Sequence, residues 1–143
     1  MSLRLFPDVN VWVALHHQIH AHHRAARAWF EALEPECTLV FCRQTQMGFF
    51  RLMTTEAVMG DEALTQRACW TLYRQWLNGG KARLEGEAAG VGQHFERRSQ
   101  AGTPSPKEWS DAFLAAFAEA GKLTLVTFDR ALAAKAKASV LLA

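Results

Sequence analysis

Leu123-Thr124-Leu125-Val126-Thr127-Phe128-Asp129-Arg130 is the stretch on which the reading of the fold turns. Six residues rich in strand-forming types read as a buried strand that is followed by an acid. Leu3-Arg4-Leu5-Phe6-Pro7-Asp8 repeats the arrangement near the other end of the chain, an apolar run closed by Pro7 and followed by Asp8. Thr38 to Cys42 gives a third candidate strand, Ala82 to Leu84 a weaker fourth, and Val140 to Leu142 a terminal fifth.

Helical patterns lie between these runs. From about His22 to Leu33, the residues Ala26, Trp29, Phe30 and Leu33 share a face, and Asp61 to Leu77 repeats apolar residues at Leu64, Ala68, Leu72 and Trp76. Ser105-Pro106-Lys107-Glu108 predicts a helix start, with Ser as cap, Pro in the first turn and Glu closing a capping box; Gly121 predicts its end. Gly79-Gly80 is the expected loop, and Gly86 to Gly92 and Gln100 to Pro104 read as turns or frayed helix ends. Strands alternating with helices require crossover connections, so the expected class is α/β with a mainly parallel central sheet covered on both faces. No repeat, low-complexity tract or linker interrupts residues 1–143, which are expected to form a single domain.

Half of the 143 residues are hydrophobic, 21% are charged and the net charge is +2, which suits an ordinary core and argues against extensive disorder. A charge of +2 favours a polyanionic partner only slightly. Met1 to Phe6 meets Pro7 and Asp8 before it could become the apolar core of a signal peptide, and no run approaches the roughly 18 apolar residues of a membrane span. The expectation is a cytoplasmic protein with no membrane association. Cys37, Cys42 and Cys69 contain no Cys-x-x-Cys pair, against both a disulfide framework and a zinc ribbon, so reduced structural thiols are expected.

Of the four aspartates, Asp8, Asp111 and Asp129 sit beside strongly apolar sequence, whereas Asp61 reads as ordinary surface. Ligand sites of parallel sheets form outside the carboxyl ends of the strands, where Asp8 and Asp129 are placed. Asp111 belongs to Trp109-Ser110-Asp111-Ala112-Phe113-Leu114-Ala115-Ala116-Phe117-Ala118, apolar almost all round, so its carboxylate needs a cation, a metal or dense hydrogen bonding. A shared Mg²⁺ or Mn²⁺ ion would satisfy all three acids, and it could activate water at a phosphodiester. Each acid also has a plainer reading. Asp8 and Asp129 are good N-caps for helices starting at Val9 and Arg130, and Asp111 could be half-exposed against another subunit.

Here the sequence resembles the PIN-domain family, specifically the VapC-type toxins of toxin–antitoxin pairs. Leu5-Phe6-Pro7-Asp8-Val9-Asn10-Val11-Trp12 is similar to the family's opening strand and first acid, while Ser110-Asp111-Ala112-Phe113-Leu114-Ala115 and Leu125-Val126-Thr127-Phe128-Asp129-Arg130 are similar to its closing acidic motifs. The resemblance implies a three-layer α/β/α nuclease, usually a homodimer, that binds Mg²⁺ or Mn²⁺, hydrolyses RNA and is inhibited by a cognate antitoxin. It also implies that Asp8, Asp111 and Asp129 are metal ligands and catalytic residues, with Asn10 and Thr127 supporting them by hydrogen bonds. The family's second acid, normally Glu, falls on Gln46 within Thr45-Gln46-Met47-Gly48-Phe49-Phe50-Arg51. An amide can still ligate or hold water, but it carries no charge and is a poorer proton acceptor, so weaker metal binding and slower cleavage are expected. Glu108, three residues before Asp111, is a candidate replacement carboxylate as well as a capping residue.

A weakened PIN fold that binds RNA or antitoxin without turnover is the alternative, and aspartyl-phosphate chemistry is a third class. The cluster His16, His17, His20, His22 and His23 reads as solvated histidines at the end of the first helix, with a transition-metal pair at His16 and His20 as the sharper alternative. Arg43, Arg51, Arg97, Arg98 and Arg130 are candidate phosphate contacts, with Arg130 and Arg51 carried forward as RNA-binding residues. The five tryptophans are read mainly as core, with one or two left to line a partner groove.

Overall fold

A computed structural model describes residues 3–143. All five candidate strands form: β1 (Arg4–Pro7), β2 (Thr38–Phe41), β3 (Ala82–Leu84), β4 (Thr124–Thr127) and β5 (Ser139–Leu141). They make one wholly parallel sheet in the order β3, β2, β1, β4, β5. The chain winds outward from β1 on one side and returns on the other, so β1 and β4 are neighbours, with Pro7 opposite Val126. That pairing is the topological switch point of the sheet, where loops diverge and leave a crevice at the strands' carboxyl ends.

The helices are α1 (Val9–His16), α2 (His23–Glu31), α3 (Arg43–Met53), α4 (Glu56–Met59), α5 (Gln66–Asn78), α6 (Val91–Arg98), α7 (Pro106–Gly121) and α8 (Arg130–Lys135). Alternate side chains of each strand feed opposite faces, which produces two cores and three α/β/α layers. Leu5, Leu39, Phe41 and Val126 pack with Trp12, Phe49 and Tyr73 on one face. Phe6, Val40 and Leu125 pack with Leu114, Phe117 and Leu132 on the other. Trp12 is fully buried and stacks on Phe41 with ring centroids 4.0 Å apart. Cys37, Cys42 and Cys69 are free and buried; burial pushes the thiols of Cys42 and Cys69 up, away from the nucleophilic thiolate.

Three local expectations are corrected. The helix expected from Asp61 begins only at Gln66, because a 3-10 turn at Gly60–Glu62 precedes it and the Thr65 hydroxyl caps it through the Ala68 amide at 3.1 Å. The capping box at Ser105 does not form. The Ser105 hydroxyl donates to the Thr103 carbonyl, and Glu108 reaches Lys135 instead. Gly86 to Gly90 is irregular as expected, but Val91 opens a helix that the sequence does not predict, since Val91 docks into the second core. α7 does run to Gly121, but the left-handed cap is Lys122, at φ 57°.

Candidate functional site

Asp8 follows β1 and caps α1, with Oδ1 accepting from the Val11 amide at 3.1 Å. Its backbone amide continues the sheet by donating to the Val126 carbonyl at 2.9 Å, which fixes it beside β4. The other carboxylate oxygen accepts from the Thr127 hydroxyl in a short bond, and that hydroxyl accepts from the Asp129 amide at 2.9 Å. Thr127 therefore ties the ends of both strands together. Asp129 caps α8, with Oδ1 accepting from Ala131 at 2.9 Å and Leu132 at 3.2 Å, leaving Oδ2 to face outward. Capping and convergence are thus compatible: one oxygen of each aspartate anchors a helix start, and the sheet places the pair at the switch point.

Asp111 arrives from α7, a helix whose residues from Asp111 to Ala118 are nearly all buried. It is only 5% exposed, and its Oδ2 accepts from Lys107 at 3.0 Å and from Lys135 at 3.1 Å. Lys107 also donates to Asp129 Oδ2 at 3.0 Å, so one ammonium bridges two of the three acids. Lys135 completes a second bridge by reaching Glu108 at 2.7 Å.

The electrostatics follow from this wiring. Burial pushes the Asp8 carboxyl above its ordinary value, against the lowering effect of Thr127 and the α1 amides. Lys107 holds Asp129 below the usual carboxylate range, with the Leu132 amide adding to the effect. Lys107 is raised in turn, through Asp129 first and Asp111 second. Lys135 is raised on balance: burial opposes its charge, and its bonds to Glu108 and Asp111 more than offset that.

Asp8, Asp111 and Asp129 line one cavity of about 250 Å³, together with Asn10, Arg51 and Lys107. A larger cleft of about 550 Å³, walled by Phe50, Arg51 and Trp70, holds no carboxylate and offers nothing comparable for chemistry. Gly48 belongs to the same cavity wall, and a Cβ there would come within 2.7 Å of a Val9 methyl, so glycine lets α3 lie against α1 at this point.

Other residues singled out in the sequence fall elsewhere. Gln46 is buried, but its amide oxygen accepts from Arg43 at 2.6 Å, and it is not among the cavity-lining residues, although its neighbours Gln44, Thr45 and Gly48 are. Glu108 is taken by Lys135 and does not line the cavity. Arg130 is exposed and also stands outside it. The histidine cluster is solvated only in part: His22 is exposed, whereas His16 and His17 are held by the fold. His17 is buried beside Glu62 at 2.6 Å, and His16 lies 2.8 Å from the Trp12 carbonyl and accepts from the Trp76 indole at 2.9 Å. Burial lowers His16, and α1 ends there, so His16 and His20 do not share a helical face. Trp109 is 60% exposed and is not core. Lys107 and Lys135 went unnoticed in the sequence; the four-residue spacing of Lys107 and Asp111 on α7 was a usable signal for the first.

Among the described residues, no three His, Cys, Asp or Glu side chains are grouped closely enough to hold a metal ion as they stand. The donor set nonetheless suits a hard divalent cation: carboxylate oxygens from three elements face one cavity, and an ammonium bridging two of them occupies the electrostatic role such an ion would take.

The chain matches the PIN domain over residues 5–138. It belongs to the PIN domain family. It is 39% identical over 131 residues to the ribonuclease VapC41 of Mycobacterium tuberculosis, covering 89% of this chain and 90% of that one. Ribonuclease VapC44 of the same organism is 30% identical over 137 residues, covering 92% and 89%. Among solved structures, the VapBC2 complex of Rickettsia felis bound to a promoter DNA fragment superposes with a TM-score of 0.68 at 13% identity, over 99% of this chain and 100% of that one. The M. tuberculosis toxin VapC20, which cleaves the sarcin-ricin loop, gives 0.66 at 18% identity, over 91% and 93%. At those identities the structures speak for the PIN fold alone. No helix among the described residues is long and apolar enough to cross a membrane.

Proposed function

We propose that this PIN-domain chain is a divalent-metal-dependent endoribonuclease, the toxin of a VapBC-like pair, with Asp8, Asp111 and Asp129 as metal ligands and catalytic residues. The observation that carries the reading is the convergence of the three acids on one cavity at the switch point of a chain 39% identical to a named ribonuclease. Mg²⁺ or Mn²⁺ bound there would supply an activated water and neutralise charge at the phosphodiester. The chain's own residues do the rest. Thr127 fixes one Asp8 oxygen and the Asp129 backbone, so the first and last acids keep a constant separation. Helix α8 holds Asp129 by two amides, and Asn10 stands at the cavity wall beside Asp8. Arg51, on the same wall, is suited to a backbone phosphate. With Gln46 hydrogen-bonded to Arg43, its amide supports the α3 wall in this arrangement and does not act as a ligand.

Regulation by a cognate antitoxin, homodimer formation and a cytoplasmic location belong to the same reading; a neighbour solved as a toxin–antitoxin complex from Klebsiella pneumoniae supports the first at the level of fold. The test is RNA cleavage by full-length protein with and without added Mg²⁺ or Mn²⁺. Metal-stimulated cleavage should disappear in Asp8→Ala and Asp129→Ala. Equal cleavage by these variants and the parent would overturn the assignment. A second reading, a PIN module that binds RNA or antitoxin without turnover, is favoured by the Lys107 bridge across Asp111 and Asp129. It would be recognised by RNA binding in fluorescence anisotropy with no cleavage at any Mg²⁺ or Mn²⁺ concentration.

A further inference from the structure

We propose that Lys107 is a built-in competitor of the divalent metal: its ammonium bridges Asp111 and Asp129, and metal binding must displace it, which sets the free-metal concentration at which the site fills. The inference rests on the metal-site reading above. Its basis is an asymmetry between two lysines that share Asp111 Oδ2. Lys107 lies 3.0 Å from Asp111 and 3.0 Å from Asp129, lines the cavity, and keeps a side chain 68% exposed. Lys135 lies 3.1 Å from the same oxygen but is 29% exposed, is held at 2.7 Å by Glu108, and does not line the cavity.

The physical consequence differs for each. Asp111 has an 8% exposed side chain, so it needs positive charge whether or not metal is present. A long, solvated lysine can meet that need and leaves readily, because holding it in place costs side-chain entropy and ion pairs of such exposure are individually weak. Lys135, anchored through a second carboxylate behind the cavity, can stay and keep Asp111 oriented after Lys107 has swung out. Both ammonium groups take Oδ2 of Asp111 and neither takes Oδ1. Exchange of Lys107 for a divalent ion therefore returns Asp129 Oδ2 and frees half of the Asp111 carboxylate's burden in one step.

Calorimetric titration of the full chain with Mn²⁺ tests this. Lys107→Met and Lys107→Gln should each bind Mn²⁺ about three- to tenfold more tightly than the parent, the range expected for removing two exposed ion pairs. Lys135→Met removes the same unit charge near Asp111 and controls for a general field effect, so its gain should be clearly smaller. Thermal melting in chelator confirms that each variant is folded before titration. Unchanged or weaker Mn²⁺ binding by both Lys107 variants, or an equal gain in Lys135→Met, overturns the inference. Asp111→Ala separates the two levels. If it abolishes the parent's binding while the Lys107 variants gain nothing, the metal site stands and only the competition falls. If the parent shows no Asp111-dependent binding, both fall.

Discussion

Asp8 has two duties whose energetics conflict. As a helix cap it is stabilising, since one oxygen satisfies an otherwise unpaired α1 amide. As a carboxylate only 6% exposed it is costly, and burial raises its pKa from the ordinary 3.8. The sign follows directly. Between 3.8 and the raised value the folded chain keeps a proton that the unfolded chain has lost, so stability falls as pH rises through that window. Above it the buried charge is a standing cost. Asp8→Asn keeps a capping oxygen and removes the charge, so in chelator at neutral pH it should gain about 1 kcal/mol and melt about 2–4 °C higher. Mn²⁺ binding, measured by calorimetry, should be lost in the same variant. A lower melting temperature would mean that the Thr127 bond to the charged carboxylate outweighs its burial.

At the level of elements, the acids depend on how α6, α7 and α8 are tied together. Arg98 at the end of α6 donates to Glu119 on α7 and to the carbonyl of Lys135 at the end of α8, in two short bonds. Arg98 holds Glu119 below its ordinary 4.5. A depressed carboxylate stabilises fully above the unfolded value and loses that contribution as pH falls through the folded one. Glu119→Gln should therefore cost about 0.5–1 kcal/mol near pH 7, after allowance for solvent screening, and the gap to the parent should close as melts are repeated below pH 4.5. A gap that persists into acid would point to packing in place of charge. This tie was not legible in the sequence, where Val91 to Arg98 offers few apolar residues and begins among glycines. Its helicity comes from docking onto α7. The strands were legible because each is a dense apolar run ended by a turn or an acid, and that local signal survives without tertiary context. Glu108 differs for the opposite reason: the local capping pattern is present in the sequence, but Ser105 bonds to Thr103 and Lys135, distant in sequence, takes the Glu108 carboxylate.

The whole molecule carries a net charge of only +2, so a polyanion cannot be held by charge in bulk and must be met by a few placed cations. Sequence order hid that placement. Asp8 and Asp129 could be assigned to strand ends from their neighbours, but their meeting depends on β1 lying beside β4, and the contacts of Lys107 with Asp129 and of Lys135 with Asp111 form only when α7 and α8 close over that edge. In the sequence Arg130 is the favoured phosphate contact because it adjoins Asp129, with Arg51 beside it as a second candidate. In the fold Arg51 borders three adjoining concavities: the carboxylate cavity, the cleft beside Trp70, and the hollow formed with Arg43, Met47 and Phe113. Arg51 is thus placed to meet a phosphate in any of the three, whereas Arg130 borders none of them. If Arg51 neutralises one phosphate, Arg51→Ala should weaken single-stranded RNA binding and make the slope of log affinity against log salt shallower by about 0.7, the counterion yield of one contact. Arg130→Ala should leave the slope as it is. Binding is best followed by fluorescence anisotropy in chelator, where cleavage does not interfere, and a slope that moves with Arg130 but not with Arg51 would reroute the RNA to the α8 side of the cavity.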